Sequence, residues 1–263
     1  MKIAAIIQAR LGSRRLPGKV LMPLAGRPAI AHVVERSRMI PDVTDVVVAT
    51  TTSPRDDELA AWCAANGVTV CRGSEDDVLD RYYQAARSVG ADVIVRITAD
   101  CPLLDPIEAG KVVRALVDSG CDYASNYEPA TFPDGLDIGV LTFATLERVW
   151  KKATRKSERE HVWTYIPSHA DEFTRTFVHC ARDLSHYRLT FDEKGDYEAI
   201  SAMIEALHSR GQFGYLDEIV ALLEEQPDLL AANRTITRNE GLAKSLAEDD
   251  SSQQAEQAKQ QKQ

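Results

Sequence analysis

Lys2-Ile3-Ala4-Ala5-Ile6-Ile7-Gln8-Ala9-Arg10-Leu11-Gly12-Ser13-Arg14-Arg15-Leu16-Pro17-Gly18-Lys19 begins as an apolar run and ends as a loop with four cations, two glycines and a hydroxyl. An unbroken apolar run of this length fits a strand buried on both faces of a parallel sheet. The loop then leaves the carboxyl end of that strand, the edge at which open α/β sheets bind ligands. Two standard phosphate loops do not fit it. A P-loop needs four residues between its glycines and Ser or Thr after its Lys, whereas five separate Gly12 from Gly18 and Val20 follows Lys19. The dinucleotide fingerprint needs a third glycine opening a helix, and Pro17 stands where that helix would start. Side chains must therefore supply the charge. Arg10, Arg14 and Arg15 can grip phosphate oxygens in pairs, and Lys19 adds a mobile point charge. The competing reading is a solvated basic loop on an acidic body.

Downstream, the strand-helix pattern repeats. Helical spacing runs from Pro28 to Met39, from Pro54 to Asn66 with Gly67 as its stop, and from Asp76 to Val89 with Gly90 after it. Strands are expected at Thr44 to Thr50, Val68 to Cys71 and Asp92 to Thr98. Such alternation implies an α/β fold with a mostly parallel central sheet. A helix from Asp105 to Ser119 leads to a short segment at Cys121 to Ala124 and a Pro/Gly-bearing loop at Tyr127 to Asp137. The second half reads as mixed, with strands near Leu136 to Thr142, Thr174 to Cys180 and Tyr187 to Phe191. Its helices fall at Phe143 to Ala153, Glu158 to Ser168, Asp196 to Leu207 and Tyr215 to Gln226. Lys244 to Gln263 lacks apolar residues able to offset ordering entropy, so residues 1–243 read as one domain and 244–263 as a disordered polar tail.

With 31 Lys and Arg against 40 Asp and Glu, the chain carries a net charge of −9. That balance argues against a nucleic-acid backbone as partner and makes a local basic loop more telling, with a small anion as its expected ligand. No apolar run is long enough to span a membrane, and the start reads as a strand rather than a cleavable signal, so a cytoplasmic protein is expected. The five cysteines form no CxxC pair and read as reduced core residues.

The strand Val93-Ile94-Val95-Arg96-Ile97-Thr98 ends in Ala99-Asp100-Cys101-Pro102, which puts a carboxylate on the ligand side of the sheet. A carboxylate facing polyphosphate needs an intervening cation, and Mg²⁺ suits it because that ion takes one or two carboxylates plus phosphate oxygens and water. Asp100 is thus the first expected metal ligand; the helix-capping role falls better to Asp105, which precedes Pro106. Asp192 closes Tyr187 to Phe191 in the same manner, although local sequence alone favours a cap for the helix beginning near Lys194. Arg72-Gly73-Ser74, followed by the acidic start of the next helix, offers donors at a second sheet edge or an ordinary capped helix start.

Together these residues resemble the cytidylyltransferase family that activates sugar acids, which includes the synthetases of CMP-linked 3-deoxy-manno-octulosonate and sialic acid. The family's opening pattern is matched by Ala9, Arg10, Ser13, Arg15, Leu16, Pro17, Gly18 and Lys19. Within the family the chain looks most like the branch named for spore coat polysaccharide biosynthesis protein F. The shared motifs are Val-Ala-Thr-Thr (48–51), Arg-Gly-Ser-Glu-Asp-Asp-Val-Leu-Asp-Arg-Tyr (72–82), Arg-Ile-Thr-x-Asp-Cys-Pro (96–102) and Phe-Pro-Asp-Gly-Leu-Asp (132–137). Where that branch commonly has Arg and Glu, this chain has Ala130 and Gly139, a change on the acceptor side.

The resemblance implies a three-layer GT-A-like nucleotidyltransferase fold, CTP and a sugar-acid acceptor as partners, Mg²⁺ as cofactor and a homodimer. It implies that Arg15, Lys19 and Asp100 are catalytic, and that Asp100 and Asp192 hold the metal. Gln8, Ala9, Arg10, Ser13, Arg72, Ser74, Asp80 and Arg81 would contact the nucleotide, while Arg96, Asp134, Asp137 and His161 would border the acceptor. The rivals are a GT-A glycosyltransferase, which typically needs an Asp-x-Asp motif that Ala99-Asp100-Cys101 does not offer, and a non-catalytic nucleotide-binding protein of the same fold.

Overall fold

The computed structural model describes residues 1–238, 240, 242–249 and 251. Strand β1 (Ile3–Gln8) is the axis of the sheet, with five of its six residues buried. It pairs in parallel with β4 (Asp45–Thr51) on one side and β6 (Val93–Thr98) on the other. β5 (Thr69–Gly73) extends the sheet beyond β4. Beyond β6 lie β8 (Gly139–Thr142), antiparallel to both its neighbours, then β7 (Tyr123–Ser125) and β9 (Arg175–Phe177), giving the order β5-β4-β1-β6-β8-β7-β9. β2 (Pro23–Leu24) and β3 (Arg27–Pro28) form a small separate hairpin that the sequence reading did not anticipate.

Alternation along β1 assigns its two faces to different helices. Ile3, Ala5 and Ile7 pack with α1 (Ala29–Arg38), α2 (Asp57–Ala65) and α4 (Pro106–Ser119). Ala4 and Ile6 pack with α3 (Val78–Val89), α5 (Phe143–Lys152) and the short helix α7 (Tyr165–Ser168). Helices on both faces of a largely parallel sheet make the three-layer α/β architecture that alternation implied. A third cluster joins α8 (Lys194–Ser209) and α9 (Leu216–Glu225) to Phe132, Leu136, Leu189 and Phe191.

Five expectations change in the second half. The helix expected at Glu158 to Ser168 is two, α6 (Lys156–His161) and α7, because Val162 turns to φ 66° between them. Tyr187 to Phe191 forms no strand of the sheet; Arg188 makes an isolated parallel bridge with Asp134, and the segment donates from Leu189 N to Asp134 O at 2.6 Å and from Phe191 N to Asp100 O at 3.0 Å. The strand expected at Thr174 to Cys180 shrinks to β9, and that expected from Leu136 begins only at Gly139. The polar stretch expected to be a disordered tail from Lys244 is helical over 242–249, where Asp249 accepts from Ser157 N at 3.2 Å. The remaining residues of that stretch are outside the described set, save 251. All five cysteines are free, and no helix among the described residues is long and apolar enough to cross a membrane.

Gly135 shows why the Pro-Asp-Gly loop tolerates so little change. Its φ is 101°, and a Cβ there would lie 2.6 Å from Leu189 C and Thr190 N. Gly135→Ala combines backbone strain with a clash against main chain that cannot move aside. It is expected to destabilise the fold by about 3 kcal/mol, read as a lower urea midpoint with an unchanged slope.

Candidate active site

The sheet order reverses at β1: the chain moves outward to β4 and β5, then returns to place β6 on β1's other edge. Such a switch point leaves a crevice at the strand ends. Gln8 is in register with Thr98, so the loops after β1 and β6 emerge side by side. The first is held by Leu11 N, which donates to the carboxylate of buried Asp56 at 2.7 Å, and by Gly18 N, which donates to Leu11 O at 3.0 Å. Ser13 Oγ accepts from Leu16 N at 3.3 Å, inside the turn. Gly18 adopts φ 71° and opens a short 3-10 turn, Lys19–Leu21, that sends the Lys19 side chain inward.

Lys19 is 8% exposed, and its ammonium lies 2.7 Å from Asp100 Oδ2 and 2.8 Å from Asp192 Oδ1. It also donates to Phe191 O at 3.2 Å. Arg15 adds a second cation, 3.0 Å from Asp192 Oδ2, 3.4 Å from Glu193 and 3.3 Å from Glu240. The expected catalytic and metal residues therefore share one cluster, although Asp100 and Asp192 lie far apart in sequence. Burial alone would raise the Asp100 pKa, but the Lys19 charge and hydrogen bond outweigh it and hold it at about 2. Burial would likewise lower Lys19, and the two carboxylates instead raise it. At neutral pH Lys19 and Asp100 therefore meet as an ion pair.

Two carboxylates from separate segments that already share one cation are a suitable donor pair for Mg²⁺. Among the described residues there is no group of three or more metal-ligating side chains, so an ion here would draw its other ligands from phosphate and water. The donor set fits.

Asp192 is held in place by residues that the sequence reading passed over. Asp196, fully buried, accepts from Asp192 N at 3.0 Å and Glu193 N at 3.2 Å. Its carboxylate is gripped by Arg188 at 2.8 and 2.9 Å, and Arg188 also bonds Asp134 at 2.7 Å. Asp134 thus supports Asp192 through Arg188. A legible signal existed in Asp196, three residues into a helix start where a carboxylate caps backbone N–H groups; its arginine partner had none.

The expected nucleotide edge is largely engaged in holding itself together. Arg72 donates to Thr51 O at 2.7 Å and Ser53 O at 3.0 Å. Buried Arg81 donates to the carbonyls of Ser74 and Glu75. Asp80 accepts from Trp150 Nε1 at 2.9 Å and Gln84 at 3.2 Å, tying α3 to α5. Arg10 reaches Glu75 at 3.5 Å, and Ala9 N is fixed to Ala49 O at 3.2 Å.

Of the residues expected to border the acceptor, Arg96 donates to Gln8 Oε1 at 3.2 Å and lies 5.1 Å from the Trp163 ring. Gly139 makes room for that ring: a Cβ would sit 3.0 Å from it. Asp137 pairs with Arg238, and burial raises its pKa to about 6 despite that partner. His161 Nε2 meets Ser245 Oγ at 3.0 Å.

The sequence matches the family profile described as Cytidylyltransferase over residues 4–236. The chain belongs to the cytidylyltransferase family. Among curated relatives, this family member is 34% identical to spore coat polysaccharide biosynthesis protein SpsF of Bacillus subtilis over 86% of this chain and 95% of that one. Among solved structures, a cytidylyltransferase from Leptospira borgpetersenii is 33% identical and superposes with a TM-score of 0.84, covering 90% of this chain and all of that one. The synthetase of CMP:2-keto-3-deoxy-manno-octonic acid, solved with CTP, shares the fold at 19% identity and a TM-score of 0.62, over 78% of this chain and 99% of its own. The GT-A-like nucleotidyltransferase fold that the resemblance implied is therefore the fold of this family member, and Asp100 and Lys19 lie within the matched region.

The cluster makes stability depend on acid. With Asp100 lowered to about 2 from its ordinary 3.8, its contribution is complete above about pH 4 and is lost as the pH falls toward 2. The shift corresponds to about 2 kcal/mol. Urea unfolding at pH 5 and pH 2.5 should show Asp100→Asn losing less stability across that interval than the wild type; an equal loss rejects the pairing.

Proposed function

We propose that this chain transfers CMP from CTP to a sugar acid or related hydroxyl acceptor, releasing pyrophosphate, in the synthesis of surface polysaccharide or another glycan. The observation that carries the reading is the meeting of Lys19, Arg15, Asp100 and Asp192 at the sheet's switch point. The CTP-bound structural neighbour and the SpsF relative support the choice of nucleotide and pathway class. By the family's habit the working form is a cytoplasmic homodimer.

In this reading an acceptor hydroxyl attacks the α-phosphorus in line, and the bond to the β-phosphate oxygen breaks as pyrophosphate leaves. Lys19, on a flexible stem, and Arg15, with paired donors, move onto the departing phosphates and stabilise their charge. Asp100 stays ionised at any physiological pH, so it acts as fixed charge rather than as a proton acceptor. Arg188 and Asp196 hold Asp192 in register with it. Asp100 and Asp192 would hold Mg²⁺, which when bound neutralises charge on the phosphate oxygens. Arg10, Ser13 and the Arg72–Arg81 edge enclose the nucleotide, and Arg96, Asp137 and His161 border the acceptor.

Each of the four triphosphates, offered with a panel of sugar acids and magnesium, should give pyrophosphate release with CTP alone. Asp100→Asn should cut that turnover at least about 100-fold, while the thermal midpoint falls by only about 4–8 °C, as the loss of about 2 kcal/mol predicts, and leaves the chain folded at the assay temperature. Turnover close to wild type removes Asp100 from the chemistry. CTP binding without pyrophosphate release across the panel favours a nucleotide-binding protein instead.

A further inference from the structure

The chain beyond α9 returns to the site, and its described residues touch both sides of it in turn. Arg238 donates to Phe132 O at 3.1 Å and pairs with Asp137, anchoring the segment on the Pro-Asp-Gly loop. Glu240 then reaches Arg15 Nη1 at 3.3 Å in the phosphate loop. Ser245 meets His161 Nε2 at 3.0 Å, and Glu248 lies 3.1 Å from Lys156. Asp249 closes the run by accepting from Ser157 N at the start of α6.

Charge makes this arrangement conditional. Arg15 already has Asp192 and Glu193, and Glu240 shares the very nitrogen that Glu193 approaches. Three carboxylates around one guanidinium leave a local excess of negative charge, which a bound polyphosphate would deepen through like-charge repulsion. Glu240 is 61% exposed, as suits a weak and replaceable pair. A triphosphate on Arg15 and Glu240 on Arg15 are therefore competing occupants of one cation.

We propose that Arg238, Glu240 and residues 242–249 form a strap across the acceptor side, with Glu240 as an internal competitor that triphosphate displaces from Arg15. The strap rests on the reading of Arg15 as a triphosphate ligand. Displacing Glu240 loosens the stretch that covers His161 and Lys156, while Arg238 stays as the hinge. Nucleotide binding then exposes the acceptor side, so the substrates enter in order, nucleotide first. The coupling follows from differential affinity: triphosphate binds better to the released state and shifts the population toward it.

The test uses the full chain with CTP and magnesium as the probe. Calorimetric titration of Glu240→Gln should give CTP affinity roughly two- to five-fold tighter than wild type, the range expected for losing one exposed competing pair, and the gap should shrink at high salt. In the wild type, saturating CTP should speed amide exchange across 242–249 and trypsin cleavage after Lys244. Equal or weaker CTP binding by Glu240→Gln, or protection of 242–249 unchanged or increased by CTP, overturns the strap and leaves the nucleotide reading standing. Failure of both proteins to bind any of the four triphosphates overturns both.

Discussion

One buried ammonium shared by two carboxylates organises this molecule. Lys19 sits between Asp100 and Asp192 at 2.7 and 2.8 Å, joining the loop after β1, the end of β6 and the segment before α8. A buried lysine is costly unless paired, and a buried carboxylate likewise, so each group makes the others' position tenable. The same pairing lowers the Asp100 pKa and raises that of Lys19, so both keep their charge at neutral pH. The rest of the crevice is arranged around holding these three charges within hydrogen-bonding distance.

That task falls on charged residues around Asp192, and Arg188 itself lies 3.6 Å from the Asp192 carboxylate. Arg188 binds Asp134 and Asp196, and Asp196 in turn caps the backbone that carries Asp192. Gly135 allows the Asp134 loop to lie against Leu189 and Thr190. The segment 187–191 lies outside the sheet; it meets Asp134 in an isolated parallel bridge and donates from Phe191 N to Asp100 O. This explains why its alternating apolar residues, which read as a strand, pack Leu189 and Phe191 into the third core beneath α8 and α9.

The first half was legible because its chemistry is local. Unbroken apolar runs, caps at Gly90 and Asp105, and glycine or proline punctuation each depend on neighbours a few residues away, and the elements fell within a few residues of expectation. The second half depends on partners across the chain, and there the expectations drifted. Val162 at positive φ splits a helix that periodicity alone would continue. Residues 242–249, too polar to order themselves, are helical against α6, where Ser157, Lys156 and His161 supply partners.

Read alone, the sequence determined the alternating α/β plan, the cationic loop after the first strand and the carboxylate at the end of the fourth expected one, since each follows from short-range pattern and residue chemistry. Tertiary structure alone decided that Asp192 joins Asp100 on Lys19, that Arg188 pairs with Asp134, and that Arg238 and Glu240 come back to the site. The physical reason is that charge pairing acts through space: which opposite charge a buried group meets is set by sheet order and loop path, not by its neighbours in the chain.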